Sequence, residues 1–514
     1  MRTARPASSR RLPAAPEGPV APGPRWPGRA APAAIAAGAV ALRIPAFLAI
    51  RAVSFDDGVY GASAVALRTG ALPFREVFSS QGPLFLPLVW LSDLLGLRTL
   101  DAPRLLALAS GLAVVLAMWS AARALRLSTN AAAVAAVLVA TSGSMLWVTG
   151  PLTSDGPGLA LAAWAVTAAL WYRRSPSLGW ALAAGVLLGG ALSVKSLLLG
   201  AVVPVGGALW PNRRHLGAAI GAAGAVSVVV ALPWGLPNVW DQAFRYHLEA
   251  AGPRTPLRNL RKVMSTLGDR DLPLVLAALA STAALASAQR RTRPTSDGTE
   301  RAPERSSSGL PTPSVGFPLG LLLVAAWLAT TVLVLAVEHP LWRNHVAHLV
   351  PPAALLIAAG LDRLPRPTGA RPAAVIALAV LAGAALLTYH GVHLSEVLWP
   401  APPGPALAAA RADLRALPAG AQVISDDPGV VWRAGRRTPP DLVDTSILRI
   451  ESGRLTAASL ARAAADQHVC AVLVWSHRFA ELGPLPDLLR QAGYAAGPRY
   501  GGPKVLWQRS KCVA

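Results

Sequence analysis

Asp56 and Asp57 stand side by side in Ser54-Phe55-Asp56-Asp57-Gly58-Val59-Tyr60, a few residues after an apolar run over 33–50. Two adjacent carboxylates just past a hydrophobic segment suit acid–base work or ligation of a divalent cation, held at a water boundary and facing one compartment. A third acid, Asp155, follows another apolar run in Thr153-Ser154-Asp155-Gly156-Pro157. Cations accompany them. Lys195 marks the tip of a tight hairpin between the apolar stretches 178–194 and 196–210. Arg254 and Arg258, spaced i, i+4, are extended by Arg261 and Lys262, and Arg343, His345 and His348 precede Val350-Pro351-Pro352. Each residue has a structural alternative. Asp56 and Asp57 also read as solvated or N-cap acids, and Asp155 as the N-cap of the next span. Lys195 also reads as a snorkelling lysine, and Arg254 and Arg258 as a solvated helix face. One of the two histidines also reads as a structural hydrogen-bonding group.

The elements that must position these residues are membrane helices. Of 514 residues, 53% are hydrophobic and only 14% charged, and apolar runs near the bilayer-spanning length of about 20 residues recur along most of the chain. The net charge of +22 falls in short arginine clusters between those runs, which is the footprint of membrane topology rather than of a nucleic-acid groove. Residues 1–31, rich in Pro, Ala and Arg, read as a cytoplasmic tail followed by a retained anchor. The clusters Arg123/Arg126, Arg173/Arg174, Arg213/Arg214, Arg290 to Arg305 and Arg363/Arg366/Arg371 read as cytoplasmic. Between them the chain alternates in about eleven spans. Residues 83–96 are too short for a span, so 52–103 form one outer loop with interfacial pieces. The polar stretch 237–270 is a second outer loop, and 289–316 a cytoplasmic low-complexity linker. Asp56, Asp57, Gln81, Asp155, Lys195, Arg245, His247, Arg254, Arg258, Arg343, His345 and His348 then gather at the outer boundary. Basic residues there call for a reason, and an outward anion-binding cavity supplies one. Arg43, inside the first span, is expected to pair with an acid or line that cavity.

From residue 400 the chain reads as a small α/β domain on the outer side. Strands are expected over 421–425, 469–475 and 504–508, and helices over 460–467 and 485–492. That domain is an acceptor-binding or capping surface. Ser425-Asp426-Asp427-Pro428-Gly429 reads as a turn with solvated acids in preference to a catalytic pair. Cys470 and Cys512 are either a disulfide or two unrelated thiols.

The run Asp56-Asp57-Gly58-Val59-Tyr60, Gly70, Pro73-Phe74 and Ser79-Ser80-Gln81-Gly82-Pro83-Leu84 resembles the GT-C superfamily of polytopic glycosyltransferases, as do Ala102-Pro103-Arg104-Leu105, Ser154-Asp155-Gly156-Pro157, Val194-Lys195-Ser196 and Arg343 to Pro352. The branch is that of protein O-mannosyltransferases and lipid A aminoarabinose transferases. Asp57 stands where Glu is usual there, Gln81-Gly82-Pro83 where Lys-Pro-Pro or His-Pro is, and His in place of a late Tyr. The resemblance implies a mainly α transmembrane bundle over 32–390 with the α/β domain over 400–514. It also implies a plasma-membrane enzyme that moves a sugar from a polyprenyl-phosphate donor to a glycan, lipid or secreted-protein acceptor on the outer face, with inversion. Asp56 is then the expected base, with Asp57 and Asp155 orienting it or holding a possible divalent metal ion. Lys195, Arg254, Arg258, Arg343, His345 and His348 are expected to meet the donor phosphate, and Tyr60 and Gln81 to make loop contacts. The alternative is a transporter or lipid flippase, for which the sequence lacks matching broken halves.

Overall fold

The computed structural model describes residues 30–249, 255–291, 319–363, 372–510 and 512. Residues 1–29, most of the linker expected over 289–316, and Arg254 lie outside the described residues. Helices dominate up to residue 420, and a small sheet follows.

Among the described residues, five helices are long and apolar enough to cross a membrane: Ala30–Phe47, Ala102–Ala124, Arg213–Trp234, Leu319–Val337 and Arg343–Asp362. A sixth results if Thr129–Thr141 and Gly143–Thr149, bent by 61°, count as one. The bend has an identifiable cause. Ser142 leaves helical geometry at ψ 131° and caps the second helix by accepting from Met145 N. Its hydroxyl donates to the buried Asp271 carboxylate at 2.6 Å. Around these run shorter pieces, including Leu178–Val194 and Ser196–Leu209. Asp155–Arg174 runs the length of the bundle with most of its side chains buried.

Small residues let these helices touch. A Cβ on Gly185 would stand 2.2 Å from the Ala219 carbonyl oxygen, and one on Gly189 2.5 Å from that of Ala223. Lipid supplies no hydrophobic drive between helices, so such close backbone packing holds them. Arg43 is buried and has no acid partner among the described residues, which differs from the expectation for it. Its Nε donates to Thr149 Oγ1 at 2.7 Å and its Nη1 to the Ala39 carbonyl at 2.8 Å, in a notch left by Gly111. A threonine hydroxyl and a backbone carbonyl thus take the place of a carboxylate.

Of the two segments expected on the outer side, 52–103 has the short pieces expected of it and 237–270 does not. Residues 52–103 contain an amphipathic helix, Phe55–Arg68, and an apolar helix, Phe85–Leu95. The latter has 11 residues, about 16 Å of rise, too short to span. The polar segment 237–270 is not a loop throughout, because a helix runs over Pro256–Arg291 with a break at Asp271.

The C-terminal sheet comprises β1 (Gln422–Ser425), β2 (Val469–Val474), β3 (Tyr494–Arg499) and β4 (Val505–Arg509), in the order β1-β2-β4-β3. β1 and β2 are parallel, joined by a crossover that includes Ala457–Ala464; β4 runs antiparallel to both its neighbours. Cys470 and Cys512 form a disulfide. This domain sits directly on Phe55–Arg68. Gly58 faces the Gly429 backbone, where a Cβ would come within 2.6 Å, and Gly61 leaves the space filled by the Trp432 ring. Trp432 is fully buried, with the Arg104 and Arg433 guanidinium groups about 5 Å from its ring. Arg433 also reaches Asp101 at 2.6 Å.

Candidate active site

A cavity of about 760 Å³ opens between the helical bundle and the C-terminal domain. Its floor is set by one helix start. Ser54 caps Phe55–Arg68, its hydroxyl accepting from Asp57 N at 3.2 Å. Asp56 and Asp57 therefore occupy the first turn, where the exposed N–H groups favour carboxylates. Successive helical residues point about 100° apart, so the pair cannot serve one purpose.

Asp57 turns inward. Arg104 donates to it twice, from Nη2 at 2.6 Å and Nε at 3.0 Å. The Val53 and Leu152 N–H groups donate to the same carboxylate, at 2.9 and 3.2 Å. It does not line the cavity. Asp57, expected to orient Asp56 or hold an ion, has its carboxylate taken up in tying three segments together.

Asp56 turns outward into the cavity, half-buried, and accepts no hydrogen bond among the described residues. Burial pushes its carboxyl up to about 6, helped by the charges of Asp155, Asp444 and Asp57 and opposed by Lys195. Tyr60, one turn on, lines the same wall with its ring edge-on to Phe85. Burial, then the charge of Asp56, raises the Tyr60 hydroxyl well above its ordinary value.

Asp155 begins the helix Asp155–Arg174 and is buried at the cavity edge. Lys195 Nζ lies 2.7 Å from its Oδ1 and His348 Nε2 2.9 Å from the same atom. Lys195 owes its place to an extended residue that interrupts the helical chain between Val194 and Ser196. The 79–84 loop is pinned against that break by Gly82 N to Val194 O at 3.0 Å and Leu84 N to Ser193 O at 2.9 Å. Gly82 is required there, since a Cβ would stand 2.2 Å from the Ser193 carbonyl oxygen. Gln81 is thereby brought to the cavity wall, its amide donating to Ser80 Oγ at 3.1 Å.

Of the remaining expected cations, Arg343 and His345 line the cavity, Arg343 paired with Asp269 and His345 with its Nδ1 unpartnered. His348 does not line it; its ring serves Asp155. Arg258 is exposed and outside the lining, whereas Lys262, one turn further along the same helix, lines it beside Trp342. The two lie on the same helical face, and Arg258, one turn of about 6 Å nearer the helix start, falls beyond the lining. Arg245 pairs with Glu249, and His247 donates from Nε2 to the Ser80 carbonyl at 2.8 Å.

The expected metal set does not converge. Asp57 is held by Arg104, and Asp155 by Lys195 and His348. Among the described residues no three His, Cys, Asp or Glu side chains gather as a metal site. Of that expected set Asp56 alone is left unengaged among the described residues.

Several lining groups escaped the sequence reading. Asp444, Ser446 and Arg478 come from the C-terminal domain, and Tyr246 from the segment before residue 250. No motif surrounds Asp444, and only the docking of the domain brings it near Asp56. Asp426, by contrast, is not a solvated turn acid. Its buried carboxylate accepts from the Trp475, Ser476 and Phe479 N–H groups and the Ser476 hydroxyl. Asp427 caps Pro428–Arg433.

Comparisons agree with this architecture. Residues 99–239 match the family model for dolichyl-phosphate-mannose-protein mannosyltransferase, a stretch that holds Asp155 and Lys195 but not Asp56. No curated protein sequence matches the chain. Crystal structures of ArnT from Cupriavidus metallidurans share the fold. The apo form aligns at a TM-score of 0.59 and 14% identity, and the form bound to undecaprenyl phosphate at 0.59 and 15%. Each alignment covers 92% of this chain and 96% of that chain. The Archaeoglobus fulgidus oligosaccharyltransferase aligns at 0.49 and 15% identity, over 92% of this chain and 73% of that one. The chain thus shares the fold of ArnT.

Proposed function

We propose that this chain transfers a sugar from a polyprenyl-phosphate carrier to a hydroxyl acceptor, at the membrane face that bears the C-terminal domain. The observation that supports it is the pairing, in one cavity, of an unengaged carboxylate, Asp56, with the Lys195–Asp155 ion pair. The match to a family named for a dolichyl-phosphate-mannose donor and the likeness to a protein crystallised with undecaprenyl phosphate support the class of carrier.

In this reading Asp56 accepts the acceptor hydroxyl's proton as that oxygen forms a bond to the anomeric carbon. The bond from that carbon to the phosphate oxygen breaks, and the phosphate leaves with the electron pair. Lys195 stabilises the growing charge, with Arg343 and Lys262 further along the wall. Asp155 and His348 hold the Lys195 ammonium in place. A single displacement inverts the anomeric centre. Leu192, Trp240 and Phe244, which line the cavity's apolar side, suit the start of the lipid chain. The transporter alternative is not favoured by the fold.

The test uses the full chain in lipid nanodiscs with polyprenyl-phosphate mannose, following release of the lipid phosphate. Asp56→Asn is expected to lower the rate by at least a hundredfold with an unchanged melting temperature, in line with loss of a general base. A base must be deprotonated to act, and the Asp56 carboxyl sits at about 6. The rate of the wild type should therefore fall as pH drops through that value. Full activity in Asp56→Asn would remove Asp56 from this role.

A further inference from the structure

We propose that Asp444, carried by the C-terminal domain, grips hydroxyl groups of the carbohydrate in the cavity, so that this domain is part of the active site. The inference rests on the transferase reading above and adds a sugar-binding residue to it.

The Asp444 carboxylate is 5% exposed and lines the same cavity as Asp56. One oxygen, Oδ1, is committed locally, accepting from Ser446 N at 2.9 Å. The other, Oδ2, has a single long contact, from the Ser80 hydroxyl at 3.4 Å. Among the described residues no Lys, Arg or His forms an ion pair with it. The nearby Arg449 donates instead to the backbone carbonyls of Asp441 and Asp444, both at 2.7 Å. A buried carboxylate left short of donors is costly, and the cost falls when a ligand supplies them. The hydroxyls of a sugar are donors of the right kind, neutral and closely spaced. Neutral hydrogen-bonding groups also stand beside it: Ser446 with the Tyr246 hydroxyl at 3.2 Å, and Ser80 with Gln81.

The residue is also firmly placed. Arg449 packs 4.0 Å over the Phe78 ring beneath it. Further along, Arg454 holds Asp241 at 2.8 Å and Glu249 at 2.7 Å, tying the domain to the wall that carries Tyr246. On the other side the domain is locked by Gly58, Gly429 and the Trp432 ring in the Gly61 notch. A carboxylate fixed from both sides across a cavity is arranged to hold a ligand rather than to fill space.

A purely structural role would lie in the turn made by Oδ1. Asp444→Asn separates the two, because the amide oxygen can still accept from Ser446 N. The full chain in nanodiscs would be assayed with polyprenyl-phosphate mannose, first with water alone and then with methyl mannoside as acceptor. Asp444→Asn is expected to melt with the wild type and to lose at least tenfold in kcat/KM. A higher KM for the lipid-linked sugar in both assays assigns the grip to the donor; a higher KM for methyl mannoside alone assigns it to the acceptor. The acid limb of the pH–rate profile should also move to lower pH. Asp444 is one of the charges raising the Asp56 carboxyl, and Asp155, Asp57 and Lys195 around it remain. Unchanged KM values with an unmoved acid limb would overturn the inference, as would activity lost together with the melting temperature and no shift of that limb. A wild type inert towards the donor would overturn the transferase reading and this inference with it. Retained wild-type turnover with an indifferent Asp444→Asn would overturn the inference alone.

Discussion

Asp56 and Asp57 differ by one helical position and have opposite fates. The roughly 100° between neighbours turns one carboxylate to the cavity and the other to Arg104. Removing a partner from a buried ion pair leaves an uncompensated charge. Asp57→Asn should thus destabilise the protein by about 3–5 kcal/mol. Thermal unfolding in nanodiscs would read it as a clear fall in melting temperature, while Asp56→Asn melts like the wild type and loses its activity. Equal melting behaviour of the two variants would contradict the division of labour. The presence of a paired acid was legible in the sequence. Which member does chemistry was not, because that depends on where Ser54 starts the helix and on Arg104, 47 residues away. Arg258 and Lys262 share a helix face, and there the basic stretch was visible but not which turn of it reaches the cavity.

At the scale of elements, glycines mark where segments must touch. Gly61 lies in a helix whose neighbour is the Trp432 ring, and a Cβ there would stand 2.2 Å from the ring carbons. Gly61→Leu should push the C-terminal domain off this helix, with an overpacking cost of about 1–3 kcal/mol. Because the domain carries Asp444 and Arg478 to the cavity, the expected readout is faster proteolytic release of the segment after residue 400 together with reduced transfer. Tight association with full activity would show that the domain docks by other contacts. Against about eleven spans expected, five helices, or six with the bent pair, are long and apolar enough to cross a membrane among the described residues. The short helix near 85–95 and strands β1, β2 and β4 were legible from hydrophobic runs of the right length. β3 was not, since Tyr494-Ala495-Ala496-Gly497-Pro498-Arg499 lacks the β-branched residues and carries Gly and Pro; pairing with β4 makes it a strand. The bend at Ser142 was equally hidden, because its cause is Asp271, 129 residues away.

For the whole molecule, we propose a sidedness argued from helix lengths and arginine clusters. The helix Asp155–Arg174 has 20 residues, about 30 Å of rise, which matches the hydrocarbon thickness of a bilayer. The next helix, Leu178–Val194, returns the chain to Lys195, which meets Asp155 again at 2.7 Å. With this hairpin crossing the bilayer, Arg173 and Arg174 would lie across the membrane from the cavity and from the C-terminal domain that closes it. Short arginine-rich loops are retained in the cytoplasm, so the cavity should face outward. The two native cysteines are joined in a disulfide, which leaves introduced thiols as clean reporters. In intact cells, Arg499→Cys on the exposed side of β3 should react with a membrane-impermeant maleimide. Arg174→Cys, exposed at the opposite helix end, should react only after permeabilisation. The reverse pattern would turn the cavity towards the cytoplasm, and labelling of both from outside would mean that the hairpin 155–195 does not span the bilayer.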